Sequence, residues 1–151
     1  MYNNKLQYSW SDYDKDIKSI EWLSFDHVIG IFRGSIGMAA HISNKHSVPM
    51  SIVGLQTRDA DDKYPYWILN NTKAEIVPNQ EPETILIVDD IYDTGRTMSK
   101  CIDFVKSCRT RPSNVPNILT YCLFGKDAPD GTNLVYSNKH EGHWIVFPWE
   151  R

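Results

Sequence analysis

Apolar positions follow two spacings along the chain, one typical of buried strands and the other of amphipathic helices. Continuous aliphatic runs, without the polar alternation of a half-solvated strand, indicate strands that are covered on both faces. Strand-like runs of this kind are found at residues 28–32, 50–55, 85–88, 118–124 and 134–136. A short hairpin is predicted from 67–69 and 74–77, on either side of a polar segment.

Helical spacing predicts three helices. The first has Ser11 as its N-cap, ends near Ser24 and has one apolar face, formed by Tyr13, Ile17 and Ile20. The second spans 35–46, and its inward positions are Ile36, Ala39, Ala40 and Ile42. The third begins at or near Thr97, and its apolar stripe consists of Met98, Cys101, Ile102, Val105 and Cys108. Because strands and helices alternate, we predict an α/β fold with a doubly wound, mostly parallel sheet flanked by helices.

Length and charge restrict the class of protein further. A chain of 151 residues is the size of one compact domain, so we expect a single domain over 1–151. A net charge of −3, without a Lys/Arg stripe, argues against a surface for nucleic acid. No apolar segment reaches the ~20 residues that cross a bilayer, and the polar start lacks a signal-peptide core. We therefore expect a cytoplasmic protein with small-molecule partners and no membrane or nucleic-acid partner.

The cysteine and histidine residues do not predict a metal site. Cys101 and Cys108 share the apolar stripe of the third helix, and Cys122 lies in a strand, so core thiols are expected. His140 and His143 form a His-Glu-Gly-His sequence. Structural zinc ordinarily has four protein ligands, and neither a cysteine cluster nor a third ligand accompanies this histidine pair.

The segment that follows strand 85–88 has the composition of a ligand site. Asp89 and Asp90 lie at the carboxyl end of the strand, which is the edge where open α/β sheets bind ligands. The loop 93–97, Asp-Thr-Gly-Arg-Thr, then leads into the third helix. The free N–H groups of the first helical turn, the loop amides and the threonine hydroxyls can surround an anion, and the helix dipole favours its charge. A phosphate fits this loop.

Carboxylates beside a phosphate would repel it unless they served its neutral hydroxyls or a bound cation. As acceptors, Asp89 and Asp90 can hold the two secondary hydroxyls of a ribose. A hard ion such as Mg²⁺ could also bridge them to further phosphate oxygens. The sequence therefore predicts a site for a phosphorylated sugar.

Residues 88–97, Val-Asp-Asp-Ile-Tyr-Asp-Thr-Gly-Arg-Thr, resemble the signature of type I phosphoribosyltransferases, which bind 5-phosphoribosyl 1-pyrophosphate (PRPP). Response-regulator receivers also have strands that end in Asp-Asp, but their pair follows the first strand, whereas most of this chain precedes Asp89. The resemblance implies the fold of that family, with a small hood from the terminal segments. It also implies that Mg²⁺ accompanies PRPP at Asp89 and Asp90, and that the ribose phosphate is bound by Thr94, Gly95, Arg96 and Thr97.

A second anion site is predicted at Arg33-Gly34, where strand 28–32 meets the second helix. In the resembled family a dipeptide at this place binds the pyrophosphate of PRPP, often through a cis peptide bond, which implies that role for Arg33 and Gly34. The loop 56–65 matches the family's flexible loop, so Arg58 and Lys63 are candidates for the leaving pyrophosphate. Taken alone, these residues would be read as a glycine turn and as solvated loop charges.

The end of the chain resembles bacterial xanthine-guanine phosphoribosyltransferases in the Phe-Gly-Lys sequence that ends at Lys126 and in the tail 143–150, His-Trp-Ile-Val-Phe-Pro-Trp-Glu. The resemblance implies that Lys126 donates to the 6-oxo group of a purine and that Trp144 stacks on its ring. Main-chain carbonyls near Trp144 and Ile145 would read position 2. Asp93 matches the catalytic carboxylate that contacts purine N7 and handles its proton.

Two positions depart from those bacterial enzymes, because Arg96 stands in place of Gly and Glu150 in place of Asp. The implied function is purine salvage, in which PRPP and guanine, xanthine or hypoxanthine yield the nucleoside 5′-monophosphate and pyrophosphate. One alternative is a regulator that binds PRPP or a nucleotide, and the missing basic face counts against it. The other is a pyrimidine or amine acceptor, which Lys126 and the Trp144-Ile145 pair disfavour. The aromatic tail favours a homodimer or homotetramer.

Overall fold

The computed structural model describes residues 4–54, 67–70, 83–107, 115–128 and 133–150. None of the helices in these ranges is long and apolar enough to cross a membrane. Single 3₁₀ turns at Lys18–Ile20 and Pro148–Glu150 supplement the following elements: β1 (Lys5–Gln7), α1 (Trp10–Ile17), β2 (His27–Phe32), α2 (Ile36–His46), β3 (Met50–Gly54), β4 (Trp67–Asn70), β5 (Thr84–Ile91), α3 (Arg96–Ser107), β6 (Asn117–Gly125), β7 (Leu134–Lys139) and β8 (Trp144–Val146).

The central sheet has six strands in the order β4-β3-β2-β5-β6-β7. All of its neighbouring pairs are parallel except β3 and β4. The prediction of a mostly parallel, helix-flanked sheet is therefore confirmed. The strand predicted at 67–69 is β4, which pairs with β3, while its expected hairpin partner 74–77 lies outside the described residues.

Both faces of the sheet are covered, as the aliphatic runs predict. Leu86 and Val88 of β5 pack in the cluster that contains α1 and α2, whereas Ile85 and Ile87 pack in the cluster that contains α3. All four side chains are fully buried. Complete burial of such a side chain is worth ~1.5–3 kcal/mol relative to exposure, so β5 is a rigid base for the residues at its carboxyl end.

The start of the first helix differs from the prediction. Ser9, and not Ser11, is its N-cap: Ser9 Oγ accepts from the Asp12 amide at 3.1 Å, and the Asp12 carboxylate accepts from the Ser9 amide at 2.9 Å. This reciprocal capping box satisfies two donors that Ser11, already in the first turn, could not reach. The helix also ends earlier than Ser24, since α1 stops at Ile17 before the short 3₁₀ turn.

Inward positions of α2 and α3 agree in large part with the helical spacing. In α2 the buried side chains are Met38, Ala39 and Ile42. Ala39 and Ile42 agree with the prediction, whereas Met38 is buried and Ile36 and Ala40 are only partly buried. In α3 the buried side chains are Met98, Cys101 and Val105. Cys101 and Cys122 are buried free thiols, as expected, while Cys108 lies outside the described residues.

The terminal segments form the predicted hood, although the sequence patterns did not predict its strands. β1 and β8 pair in parallel as a separate two-stranded sheet, with Leu6 opposite Ile145. Tyr8, directly after β1, meets the rings of Phe124 and Phe147 edge-on, at centroid distances of 5.2 and 5.7 Å. These contacts attach the hood to the end of β6.

Candidate active site

The carboxyl ends of β2 and β5 place the two predicted anion loops against each other. A Cβ atom added to Gly34 would lie only 2.7 Å from Cγ of Asp90, so the backbone of the first loop passes directly over that carboxylate. The peptide bond between Phe32 and Arg33 is cis. It directly precedes Arg33, whereas the resemblance left open whether the bond between Arg33 and Gly34 is cis. Ser35 Oγ donates to the Ile31 carbonyl at 2.6 Å and closes the turn from inside.

Asp89 and Asp90 are the most deeply buried acids of the site. Asp89 is 8% exposed, and its Oδ1 accepts from the Asp90 amide at 3.0 Å. Asp90 Oδ1 accepts from the Ile91 amide at 2.8 Å. Loss of hydration raises the pKa of both carboxyl groups, and the charge of Asp90 raises the pKa of Asp89 further.

The chemistry of this carboxylate pair fits Mg²⁺. Hard oxygen donors suit the ion, and a bound cation would favour the charged forms that burial opposes. No group of three or more His, Cys, Asp or Glu residues is gathered around one point in the part of the chain that the structure describes. Mg²⁺ commonly binds one or two protein carboxylates and takes its other ligands from phosphates and water, which is the arrangement that Asp89 and Asp90 could serve.

The predicted phosphate loop is held in a fixed shape between β5 and α3. The buried Tyr92 donates its backbone N–H to the Phe124 carbonyl at 2.8 Å, which ties the loop to β6. Gly95 has a φ of +77°, and a Cβ there would lie 2.7 Å from Cζ of Tyr92, so only glycine fits. α3 then begins at Arg96, and the N–H groups of its first turn have no earlier helical carbonyl to bond. The geometry is that of an anion-binding helix start.

Lys126 and Asp93, predicted to serve the base, are in direct contact. The Lys126 ammonium group donates to Asp93 Oδ1 in an ion pair. This hydrogen bond lowers the pKa of Asp93, a carboxyl group that is 48% exposed. Asp93 is therefore ionised at neutral pH and carries a cationic donor beside its acceptor oxygens.

Residues of the hood lie across a cleft from the loop that follows β5. Trp144 is 48% exposed, and its backbone N–H donates to the Asn4 carbonyl at 3.2 Å. Ile145 has a buried side chain, and its predicted main-chain contact with the base stays a prediction. Both residues belong to β8, and its pairing with β1 fixes their positions.

The cleft between these walls has a volume of about 340 Å³ and is lined by 90–98, His140, 143–145, Phe147 and Glu150. It contains most of the predicted site residues. Arg33 and Gly34 line a neighbouring cavity of about 920 Å³, which shares Trp144 and Glu150 with the cleft. Lys63 and Arg58 lie outside the described residues, so their predicted roles stay predictions.

Sequence reasoning did not identify His140 as a residue of the cleft. His140 attracted attention only as half of a His-Glu-Gly-His pair, but its side chain lines the cleft with its Nε2 3.9 Å from Asp93 Oδ1. Sequence spacing carried no signal for this contact, because Asp93 and His140 follow different strands. Asp93 follows β5 and His140 follows β7, and both strands pair in parallel with β6, which lies between them, so the two residues reach the same end of the sheet.

A mostly parallel sheet whose carboxyl edge carries two predicted anion loops and an acidic pair is typical of α/β proteins that bind phosphorylated ligands. Residues 10–150 match the family model of the phosphoribosyl transferase domain. The chain belongs to the phosphoribosyltransferase family, and the resemblance noted from residues 88–97 is confirmed.

Individual relatives are distant. The xanthine-guanine phosphoribosyltransferase of Desulfotalea psychrophila is 25% identical over 160 residues, which cover 99% of this chain and 88% of that protein. The orotate phosphoribosyltransferase of Sulfurisphaera tokodaii is 29% identical over 94 residues, or 62% of this chain and 43% of that protein. The crystal structure of a purine phosphoribosyltransferase from Pyrococcus horikoshii superposes with a TM-score of 0.73 at 24% identity, covering 98% of this chain and 95% of that one.

Proposed function

We propose that the protein is a purine salvage enzyme. It transfers the 5-phosphoribosyl group of PRPP to a 6-oxopurine, that is guanine, xanthine or hypoxanthine, and releases pyrophosphate and the nucleoside 5′-monophosphate. The proposal rests on one observation, the contact between the Lys126 ammonium group and the Asp93 carboxylate beside the predicted phosphate loop.

This donor and acceptor match two neighbouring atoms of a 6-oxopurine. The 6-oxo group accepts a hydrogen bond, which Lys126 can donate, and a protonated N7 donates one, which Asp93 can accept. Adenine presents an amino donor at position 6, so Lys126 would face a group that cannot accept its proton. A buried polar mismatch of this kind discriminates strongly between substrates. The similarity to xanthine-guanine and purine enzymes supports the same choice of base.

Other residues bind the different parts of PRPP. The amides and hydroxyls of the loop Thr94, Gly95, Arg96 and Thr97 hold the 5-phosphate at the start of α3. Asp89 and Asp90 hold the ribose hydroxyls, and Arg33 with Gly34 holds the pyrophosphate from the adjoining β2 loop. Trp144 stacks on the base, and the main chain of Ile145 meets its position 2. Mg²⁺, held through Asp89 and Asp90, would neutralise the pyrophosphate and make it a better leaving group.

The reaction exchanges one bond at the anomeric carbon. The bond from that carbon to the pyrophosphate oxygen breaks with its electron pair, a purine nitrogen supplies the pair for the new bond, and the transition state has oxocarbenium character. The base loses one proton in the process, and Asp93 is placed to accept it at N7. Positioning and charge stabilisation supply most of the acceleration.

Base binding would also activate Asp93. In the structure the hydrogen bond from Lys126 keeps the pKa of Asp93 low, which makes the carboxylate a weak base. When Lys126 donates to the 6-oxo group instead, Asp93 loses that partner and its proton affinity rises. The acceptor thus becomes more basic only when a 6-oxopurine is present.

We further propose that residues 1–151 act as one domain in the cytoplasm, as a homodimer or homotetramer whose ligands are small molecules. Exposed aromatic side chains support self-association, because Trp10 is 57% exposed and Trp22 is 71% exposed. Sedimentation of the purified protein over a range of concentrations tests this arrangement.

An activity assay tests the proposed function directly. The protein is incubated with PRPP, Mg²⁺ and one base at a time, drawn from guanine, xanthine, hypoxanthine, adenine, orotate and uracil, and nucleotide and pyrophosphate are measured. We expect product from at least one 6-oxopurine and little from adenine or the pyrimidines. Product from orotate alone would contradict the assigned acceptor. Binding of PRPP by calorimetry without product from any base would instead identify a nucleotide-responsive regulator.

A further inference from the structure

His140 is held beside the reacting carboxylate by the backbone of the sheet. The backbone N–H of His140 donates to the Gly125 carbonyl at 2.6 Å, and Gly125 directly precedes Lys126. The imidazole side chain is only 8% exposed, although it lines the cleft. Its Nε2 lies 3.9 Å from Oδ1 of Asp93, the same oxygen that accepts from Lys126. The surroundings of His140 therefore fix which nitrogen faces the acid.

Burial also selects the protonation form of this histidine. Nδ1 is buried, and none of the residues that the structure describes forms a hydrogen bond with it. A proton on Nδ1 would be an unpaired buried donor, which is costly, whereas a bare lone pair at that position is tolerated better. The neutral form with its proton on Nε2 satisfies this constraint and directs the N–H at Asp93. Loss of hydration lowers the pKa of His140, in agreement with a neutral ring.

Both protein partners of Asp93 approach Oδ1. Oδ2 receives no hydrogen bond within the described ranges of the chain, so it is the oxygen available to a ligand. If Lys126 turns to a bound 6-oxopurine, as the proposed function requires, Oδ1 loses its ammonium partner. His140 then has Nε2 at 3.9 Å from Oδ1, and a small rotation of either side chain would close this gap to a hydrogen bond.

We propose that His140 is a positioning residue, which takes over Asp93 Oδ1 from Lys126 when the base binds and so keeps Oδ2 aimed at the purine nitrogen. This inference rests on the proposed function. It adds a neutral donor to the lysine and aspartate of the site. A neutral donor suits the step, because a second cation would again lower the proton affinity that Asp93 needs.

The test compares His140→Leu with His140→Gln. Leucine removes the donor, and we expect kcat with a 6-oxopurine to fall about tenfold, the factor that corresponds to one hydrogen bond, while KM for PRPP stays within about twofold. Glutamine keeps an N–H at similar reach, so it should restore most of kcat. Unchanged kcat in His140→Leu, or equal losses in both variants, would overturn the proposal, since equal losses indicate a purely structural role.

His27→Gln is the matched control. His27 is also buried, its Nδ1 has no hydrogen-bond partner among the residues that the structure describes, and its Nε2 lies 2.8 Å from Ser51 Oγ. It stands at the first residue of β2, so it lies at the opposite edge of the sheet from the cleft. We expect its kcat to match that of the parent. A loss in His27→Gln as large as in His140→Leu would show that replacing any buried histidine disturbs the enzyme, and would remove the support for a specific role.

A second measurement does not depend on catalysis or on variants that fold. Nitrogen-15 NMR of the histidine rings in the parent protein at neutral pH distinguishes the two neutral forms. We expect His140 to carry its proton on Nε2, and a proton on Nδ1 would overturn the proposal. If the parent makes no nucleotide from any base, the proposed function fails. The NMR measurement still reports independently which ring nitrogen of His140 carries the proton.

Discussion

Gly34 and Asp90 are in contact across two adjacent strands, with no room between them for even one methyl group. Cγ of Asp90 would be 2.7 Å from a Cβ atom at position 34. β2 and β5 are neighbours in the sheet, so the loops that follow them share one edge. The residues proposed for pyrophosphate and for ribose are therefore parts of a single packed unit, and a change in one loop displaces the other.

Gly34→Ala should weaken PRPP binding at least tenfold. The added methyl must push Asp90 or the β2 loop aside, so both lose their positions for PRPP, and a loss of ~1.4 kcal/mol in binding is a tenfold loss of affinity. Calorimetric titration with PRPP and Mg²⁺ measures the effect. Gly37→Ala adds a methyl group on the same cavity without a clash, because nothing lies within 4 Å of a Cβ at that position, so it separates the clash with Asp90 from the presence of an extra methyl group. PRPP affinity equal to the parent in Gly34→Ala would contradict the proposed pyrophosphate loop.

Asp93→Asn should lower kcat far more than it lowers affinity for PRPP. The amide keeps the shape of the side chain but cannot accept the proton, and general-base catalysis contributes ~10²–10⁴-fold. We expect kcat to fall by about 10²-fold and the PRPP dissociation constant to change less than about threefold, measured by product formation and calorimetry. Asp127→Asn serves as control, since Asp127 lies after β6, next to Lys126, but accepts from Tyr136 at 3.1 Å. Equal turnover of Asp93→Asn and parent would refute the proton-handling role.

Residue patterns predicted the sheet well because burial on two faces leaves a strong trace. Ile85 to Val88 are apolar without interruption, and each is fully buried. The local shape of residues 93–97 could be predicted as well, since Gly95 has a positive φ and α3 follows directly, while the phosphate-binding role of this loop stays a prediction. Both features depend on local sequence, which a single chain displays.

The hood and the His140 contact could not be predicted in the same way. β1 has three residues, all exposed, so Lys5–Gln7 shows neither apolar periodicity nor a continuous apolar run. Its strand form depends on pairing with β8 at the other end of the chain. His140 approaches Asp93 because β5 and β7, which precede these two residues, both pair in parallel with β6, and a sequence does not state which strands pair.

The stability of the protein should fall as the pH drops below about 6.5, in part through His27. Burial lowers the pKa of His27 to about 4 from its usual 6.5. The unfolded chain therefore binds a proton in this range that the folded chain refuses. Stability from the neutral ring is fully present above 6.5 and is lost as the pH falls toward 4. Between pH 7 and pH 5 the loss from this one group is about 2 kcal/mol.

Urea unfolding at pH 7 and pH 5 measures this loss. His27→Gln has no group that titrates at this position, so its stability should change by about 2 kcal/mol less than that of the parent over the same interval. Other groups titrate in both proteins and cancel in the difference. Identical pH dependence of parent and variant would show that His27 is hydrated in solution and is not excluded from protonation.

Trp144→Ala should reduce affinity for the purine without affecting PRPP. The indole lines the cleft and is 48% exposed. A large exposed apolar surface often marks a binding site. Stacking of a base on an aromatic side chain is worth ~1–3 kcal/mol, so we expect KM for the base to rise between about fivefold and 10²-fold.

Two further variants serve as controls. Trp144→Phe keeps an aromatic face and should lose much less affinity for the base. Trp22→Ala removes an equally large side chain that is 71% exposed after the first helix, and it should leave KM for the base unchanged. If Trp144→Ala binds the base as tightly as Trp144→Phe, the ring does not stack on Trp144, and recognition of the purine must depend on Lys126 and Asp93 alone.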